Sequence, residues 1–141
     1  MASRDELAAI AVQWVSLWSV PVDWELFERL HAPAFVDESS AGRPSTREGF
    51  GQGLAAFARA FPDVRTVADD LVVDVERSRV AVRWTATGTN AGRYLGAGPT
   101  HAVTRITGIE IIEVAAGRIV RRWGEWDVTA HLAAGGASPE G

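Results

Sequence analysis

The sequence predicts an α+β domain: a curved antiparallel sheet, shaped as a cone, with N-terminal helices across its mouth and a pocket inside. Three observations point there. Up to Phe61 the apolar residues recur at spacings of three and four, the period of a helix face. From Val64 onward Val, Ile, Thr and Trp dominate runs of strand length. Helices followed by a series of antiparallel strands is the α+β pattern. The 141 residues amount to one domain, with no internal repeat and no linker, so residues 1–134 are expected to form a single domain. Residues 135–141, GGASPEG, read as a disordered tail.

The elements follow in order. Ser3 and Glu6 have the spacing of a capping box; Leu7, Ile10, Ala11, Trp14, Leu17 and Trp18 then form one helical stripe, which Pro21 ends. Asp23 can cap a second, short helix that buries Leu26, Phe27 and Leu30. His31 to Pro44, with Pro33, Ser39, Ser40 and Gly42, reads as irregular. Ser45 and Glu48 are spaced as another capping box, and Phe50, Leu54, Phe57 and Phe61 are the stripe of a third helix, closed by Pro62. The strands expected are Val64–Val75, Arg79–Thr89, Val103–Val114 and Arg118–Trp126. Gly92, Gly96, Gly98 and Pro99 mark Asn90–Thr100 as a loop, and Ala115-Ala116-Gly117 links the last two strands as a hairpin. A short helix follows Asp127. A cone of this kind leaves a cavity, the usual place for a small molecule.

Composition narrows the chemistry. The chain has no Cys, so disulfides, thiolate nucleophiles and cysteine metal sites are excluded. All 14 basic residues are Arg, which excludes a Schiff-base lysine. His31, His101 and His131 are far apart without metal-ligand spacing, so no metal site is expected. Neither a dinucleotide fingerprint nor a P-loop is present, and the expectation is a protein without cofactor. A net charge of −4 argues against nucleic acid as partner. The N-terminus lacks the pattern of a signal peptide and no run is long enough to span a membrane, so a cytoplasmic protein is expected. Carboxylate, Arg or His chemistry remains, or binding alone.

If Ala116-Gly117 is a two-residue turn, Val114 lies opposite Ile119. Alternation then puts Ile106, Gly108, Glu110, Ile112 and Val114 on one face with Ile119, Arg121, Trp123, Glu125 and Asp127. That face is apolar near the turn and acidic further on, around Trp123 and the space over Gly108. A carboxylate in an aromatic-walled pocket is desolvated, and its raised pKa suits a general base. A single bulge would flip the assignment. Each residue also has a plainer reading. Glu125 at a strand end is a solvated carboxylate, Asp127 is a helix N-cap, and Glu110 faces outward against an Arg. Trp14, Trp18 and Trp84 are core. The apolar outer-face positions Val80, Ala81, Ile109 and Ile111 need a cover, and a homodimer supplies one.

The segment Phe61 to Asp127 resembles the SnoaL-like polyketide cyclase (ester cyclase) family, of the nuclear transport factor 2-like superfamily. The resemblance is carried by Phe61-Pro62-Asp63, Arg83 to Thr89, Thr107-Gly108-Ile109-Glu110-Ile111, Gly117-Arg118-Ile119-Val120 and Trp123-Gly124-Glu125-Trp126-Asp127. Trp18, Ala34-Phe35-Val36-Asp37 and Arg47-Glu48-Gly49-Phe50 extend it over nearly the whole chain. It departs where Glu38, rather than a His, follows Asp37, and in Val128 to Leu132 after the final Asp.

The resemblance implies a cone-shaped α+β barrel, a homodimer packed through the sheet, and cofactor-free ring closure of a hydrophobic polyketide by intramolecular aldol condensation, a lyase or isomerase step of antibiotic biosynthesis and secondary metabolism. It also implies that Asp127 is the acid/base. Trp123, Glu110, Trp14, Trp18 and Glu125 are the substrate-binding candidates. Two rivals stand beside this: a non-catalytic ligand-binding or accessory protein, and a cofactor-free epoxide hydrolase or isomerase. The last wants an Arg beside two carboxylates, for which Arg121 with Glu125 or Asp127 is the candidate set.

Overall fold

The computed structural model describes residues 2–40 and 42–135. The elements are α1 (Arg4–Val15), a 3-10 turn (Ser16–Trp18), α2 (Trp24–Leu30), β1 (His31–Asp37), α3 (Arg47–Ala60), β2 (Arg65–Asp74), β3 (Arg79–Thr89), β4 (Val103–Ala115), β5 (Arg118–Asp127) and α4 (Thr129–Gly135). Of the expected tail, Gly135 ends α4 and residues 136–141 lie outside the described residues.

Capping chemistry starts the helices where the sequence placed it, with one shift. Ser3 Oγ accepts from the Glu6 N–H at 3.1 Å, and Asp23 Oδ1 accepts from the Leu26 N–H at 3.0 Å. The cap of α3 is Thr46 rather than Ser45, its Oγ1 accepting from the Gly49 N–H at 3.1 Å.

The sheet has the order β1-β5-β4-β3-β2. It is curved and unclosed, and the helices pack on its concave side. One correction concerns β1. The first half of the stretch that reads as irregular, His31–Asp37, is a strand, and it runs parallel to β5 with a break in register between His31 and Val36. Pro33 does not prevent this, because β1 is an edge strand and owes hydrogen bonds on one side only.

The β3–β4 register is unbroken from Arg79↔Glu113 to Thr89↔Val103. The β4–β5 hairpin turns on Ala116 and Gly117, with φ of 51° and 77°, the left-handed pair of a type I′ turn. Val114 does pair with Ile119, yet the next pair is Glu113↔Arg121. One extra residue, Val120, is accommodated there as a β-bulge, and beyond it every side chain of β5 points to the opposite face from that expected.

Two apolar clusters fill the concave side. The larger joins α1, α2, α3 and the turn-proximal sheet through Leu7, Trp14, Leu17, Phe27, Phe50 and Ile112, among others. The smaller is built on Phe57, Phe61, Val64, Ala86 and Ile106. Trp18 and Trp84 pack against both, and between the two clusters lies the cavity. His31, fully buried in the larger cluster, has both ring nitrogens engaged: Nδ1 against the Phe27 carbonyl oxygen at 2.8 Å and Nε2 accepting from the Trp14 indole at 3.0 Å. Burial lowers its pKa to about 4, so it is a neutral core residue.

Among the described residues no helix is long and apolar enough to cross a membrane. The convex face carries exposed Val67, Val72, Ile109 and Ile111. Val80, expected there, is instead fully buried in the larger cluster.

Candidate active site

The cavity is walled by Trp14, Trp18, Phe50, Leu54 and Phe57 from the helices and by Trp84, Ile106 and Trp126 from the sheet, with Tyr94 from the loop after β3. The free space with side chains as they stand is about 50 Å³, enough for a few waters, so a ring-sized ligand requires side chains of the entrance to move. Aromatic edges and faces interlock around it: Trp14 meets Trp18 edge-on at 4.6 Å, and Trp18 meets Phe50 at 5.6 Å.

Into this apolar space projects a line of charged groups. Glu110, from β4, is 3% exposed. Its Oε1 accepts from Arg122 Nε at 2.7 Å and its Oε2 from the Trp84 indole at 3.2 Å. Arg122, from β5, donates through Nη1 to Asp37 Oδ1 at 2.7 Å and to the Ser39 carbonyl oxygen at 3.2 Å. Asp37, at the end of β1, also accepts from the Ser39 N–H at 3.0 Å and, on Oδ2, from Arg43 Nη2 at 2.9 Å. The guanidinium of Arg122 lies 5.3 Å from the Phe50 ring and 5.5 Å from that of Trp126, positions that suit a cation over aromatic faces.

Burial dominates the electrostatics of Glu110. It disfavours the charged carboxylate and pushes the pKa up to about 7, although Arg122 and the two hydrogen bonds pull the other way. For Arg122 burial opposes the charge, but the Glu110 and Asp37 carboxylates outweigh it and hold the pKa above its ordinary value. Burial likewise pushes the Tyr94 hydroxyl up to about 12, so it stays a neutral phenol.

Two glycines make the arrangement possible. Gly124 is the cross-strand partner of Glu110, and a Cβ there would collide with the Glu110 carboxylate and lie 2.5 Å from Arg122 Nη2. Gly108, the partner of Trp84, leaves the indole its place: a Cβ would lie 2.5 Å from Trp84 Cζ2. The sheet is bare at these two points so that a carboxylate and an indole can lie across it.

Of the residues expected from sequence, Glu110, Trp14 and Trp18 meet at the cavity. Trp123, Glu125 and Asp127 do not. The bulge at Val120 turns them, with Arg121, to the convex face and brings Arg122, Gly124 and Trp126 inside. Trp123 lies there with Arg79 Cζ 4.8 Å and Arg121 Cζ 5.8 Å from its ring centre. Glu125 and Asp127 are exposed beside a shallow depression with Arg83 and Arg105. Asp127 Oδ1 accepts from the Thr129 N–H at 2.9 Å, the turn that leads into α4, and this hydrogen bond holds its carboxyl below the ordinary value.

The sequence reading missed Arg122, Asp37, Arg43, Tyr94 and Trp126 as site residues. The available signal was the pair of glycines, Gly108 and Gly124, one in each strand of an apolar hairpin where only a close approach of side chains requires them.

Among the described residues no group of three or more His, Asp and Glu is placed to hold a metal ion. Fold and site together define a helix-covered, curved-sheet pocket protein with a buried acid–arginine pair facing an aromatic cavity. Residues 9–135 match the model of the SnoaL-like polyketide cyclase family, and the chain belongs to that family.

Solved structures agree on the fold, a helix-covered curved sheet of the nuclear transport factor 2-like type. TsrD from Streptomyces laurentii superposes with a TM-score of 0.85 at 19% identity, over 98% of this chain and 100% of its own. AclR from Streptomyces galilaeus, a candidate hydroxylase, gives 0.83 at 23%, over 97% and 85%. Wild-type IdmH from Streptomyces antibioticus, a candidate polyketide cyclase, gives 0.77 at 27%, over 93% and 99%. None of the curated proteins compared with this chain matches it.

Proposed function

We propose that this protein is a cofactor-independent cyclase that closes a ring in a hydrophobic poly-β-ketone of a biosynthetic pathway, with Glu110 as the general acid/base. One observation carries the reading: a carboxyl group held by Arg122 Nε and the Trp84 indole inside an aromatic cavity. Its pKa of about 7 matches the operating pH of a general base. The Glu110 carboxylate takes a proton from the carbon between two carbonyls. The resulting enolate carbon attacks a ketone carbonyl in the same molecule, a C–C bond forms, and the alkoxide recovers the proton from Glu110. The aromatic walls of Trp14, Trp18 and Trp126 fold the substrate so that the two carbons meet, an orientation effect that can exceed the proton transfer.

Glu110→Gln keeps the shape and removes the basicity. Its turnover on an enolisable polyketide mimic, followed by NMR, is expected to fall about 10²- to 10⁴-fold, the usual worth of acid–base catalysis, with the fold and ligand binding retained. Undiminished turnover overturns the assignment.

A second reading rests on Arg122 lying between Asp37 and Glu110. An Arg flanked by two carboxylates can polarise an epoxide oxygen while a carboxylate activates water. The two readings part on isotope: oxygen-18 from labelled water enters the product of epoxide hydrolysis and does not enter that of ring closure. An accessory protein would bind and turn over neither.

For assembly we propose a homodimer that covers Val67, Val72, Ile109 and Ile111 on the convex face. Light scattering that reports a monomer at micromolar concentration overturns it.

A further inference from the structure

Arg43 takes no part in the proton transfer, yet three features single it out. Its Nη2 is committed to Asp37 Oδ2 at 2.9 Å. Its Nε is buried and has no hydrogen-bond partner among the described residues. Its guanidinium also lies against the backbone of α3 at Gly53, where a Cβ would come 2.8 Å from Cζ and Nη1 and 2.9 Å from Nε. Glycine inside a helix is disfavoured relative to alanine; here it gives the guanidinium room.

The carboxylates nearby are engaged with other donors. Asp37 is fully buried, with Oδ1 engaged by Ser39 and Arg122 and Oδ2 by Arg43. Both oxygens of Glu110 are held by Arg122 and Trp84. A buried charged donor without an acceptor is costly, and a guanidinium cannot shed its proton to escape the cost. Arg43 and Gly53 both line the cavity, so a molecule bound there can supply the acceptor. A charged N–H beside aromatic walls favours an anionic oxygen over a neutral one.

We propose that Arg43 is the oxyanion-binding residue of this cavity, its Nε–H donating to the enolate oxygen of a β-dicarbonyl substrate, with Gly53 as its seat. This deepens the cyclase reading and rests on it for the cavity being the substrate site. It gives the enolate made by Glu110 a fixed counter-charge, stabilisation of the kind that lowers barriers most when the donor is already in place.

The test uses the intact protein and two small probes read by quenching of the cavity tryptophans. Cyclohexane-1,3-dione is ionised just below neutral pH, where Glu110 is largely protonated; 3-methoxycyclohex-2-en-1-one has the same skeleton and no charge. The wild type is expected to bind the dione anion roughly ten- to a hundredfold tighter than the ether, the range of a charged hydrogen bond. Arg43→Gln is expected to lose that preference and keep its affinity for the ether. Gly53→Ala, which as a helix substitution alone would stabilise, is expected to weaken the preference by displacing Arg43, and it decides the matter if Arg43→Gln does not fold. Equal binding of the two probes by the wild type, or a preference that survives in every folded variant, overturns the anion site and leaves the cyclase reading intact. Binding of neither probe overturns both.

Discussion

The two faces of β5 use neighbouring residues for opposite ends. On the concave face Arg122 is 4% exposed, its charge matched by Glu110 and Asp37 at 2.7 Å each. On the convex face Arg121, one residue earlier, stands 3.6 Å from Glu38 with both side chains substantially exposed. The chemistry is the same, an arginine and a carboxylate, but the first pair is desolvated and the second is wet. An exposed pair contributes little to stability, whereas breaking a buried one leaves an uncompensated charge. Only on the dry side does burial move a carboxyl, that of Glu110, up towards neutral pH.

The contrast can be sharpened by pH, beyond the loss of turnover in Glu110→Gln. His31 and Glu110 are both buried and titrate with opposite sign. His31 has a folded pKa of about 4, below its ordinary 6.5; its contribution is present above pH 6.5 and lost as pH falls towards 4. Glu110 has a folded pKa of about 7, above its ordinary 4.5; its contribution is present below 4.5 and lost as pH rises through 7. In the wild type the slopes oppose each other, so stability to urea should be nearly flat between them. Glu110→Gln should expose the His31 slope, with up to about 3 kcal/mol lost on acidification. A variant as flat as the wild type would contradict this account of the buried groups.

Next in size is Gly124→Ala. The methyl group has no room beside Glu110 and Arg122, and over-packing of this kind costs about 1–3 kcal/mol. Thermal unfolding should show the loss, and turnover should fall with it as the carboxylate is displaced. The tryptophans give a smaller, optical difference. Trp126→Phe should remove much of the quench caused by an aromatic ligand, while Trp123→Phe, on the convex face, should leave it nearly intact. Similar losses in both would mean that β5 is not turned as described. The smallest effect belongs to Asp127→Asn. Asn serves almost as well in the turn before α4, so turnover and stability should both stay close to wild type. A large loss of turnover would return the acid/base role to the convex face.

The fold was legible because it rests on patterns that survive in one dimension. The stripes of α1 and α3, the run of strands and the Ala116-Gly117 turn are local. β1 was not, because its pairing with β5 is long-range and Pro33 with the serines beyond disguised it as a loop. The site was half legible. Glu110 stood out as a carboxylate in an apolar strand, and Trp14 and Trp18 by their place on the helical stripe. The other half turned on Val120. Trp123-Gly124-Glu125-Trp126 offers an indole to either face, so alternation alone could not choose between them, and one unpaired residue decided it. Asp37 and Arg43 come from a segment without periodicity, where only the folded chain shows what they meet.

Arg43, Asp37, Arg122 and Glu110 form a ladder of alternating charge whose side chains are 28%, 0%, 4% and 3% exposed. One end touches solvent and the rest is sealed. Glu110 feels Arg122 directly and the Asp37 carboxylate beyond it, so a change at Asp37 reaches its carboxyl without any atom beside it having changed. A substitution at the end of β1 would therefore retune a carboxyl on β4, two strands away across the sheet.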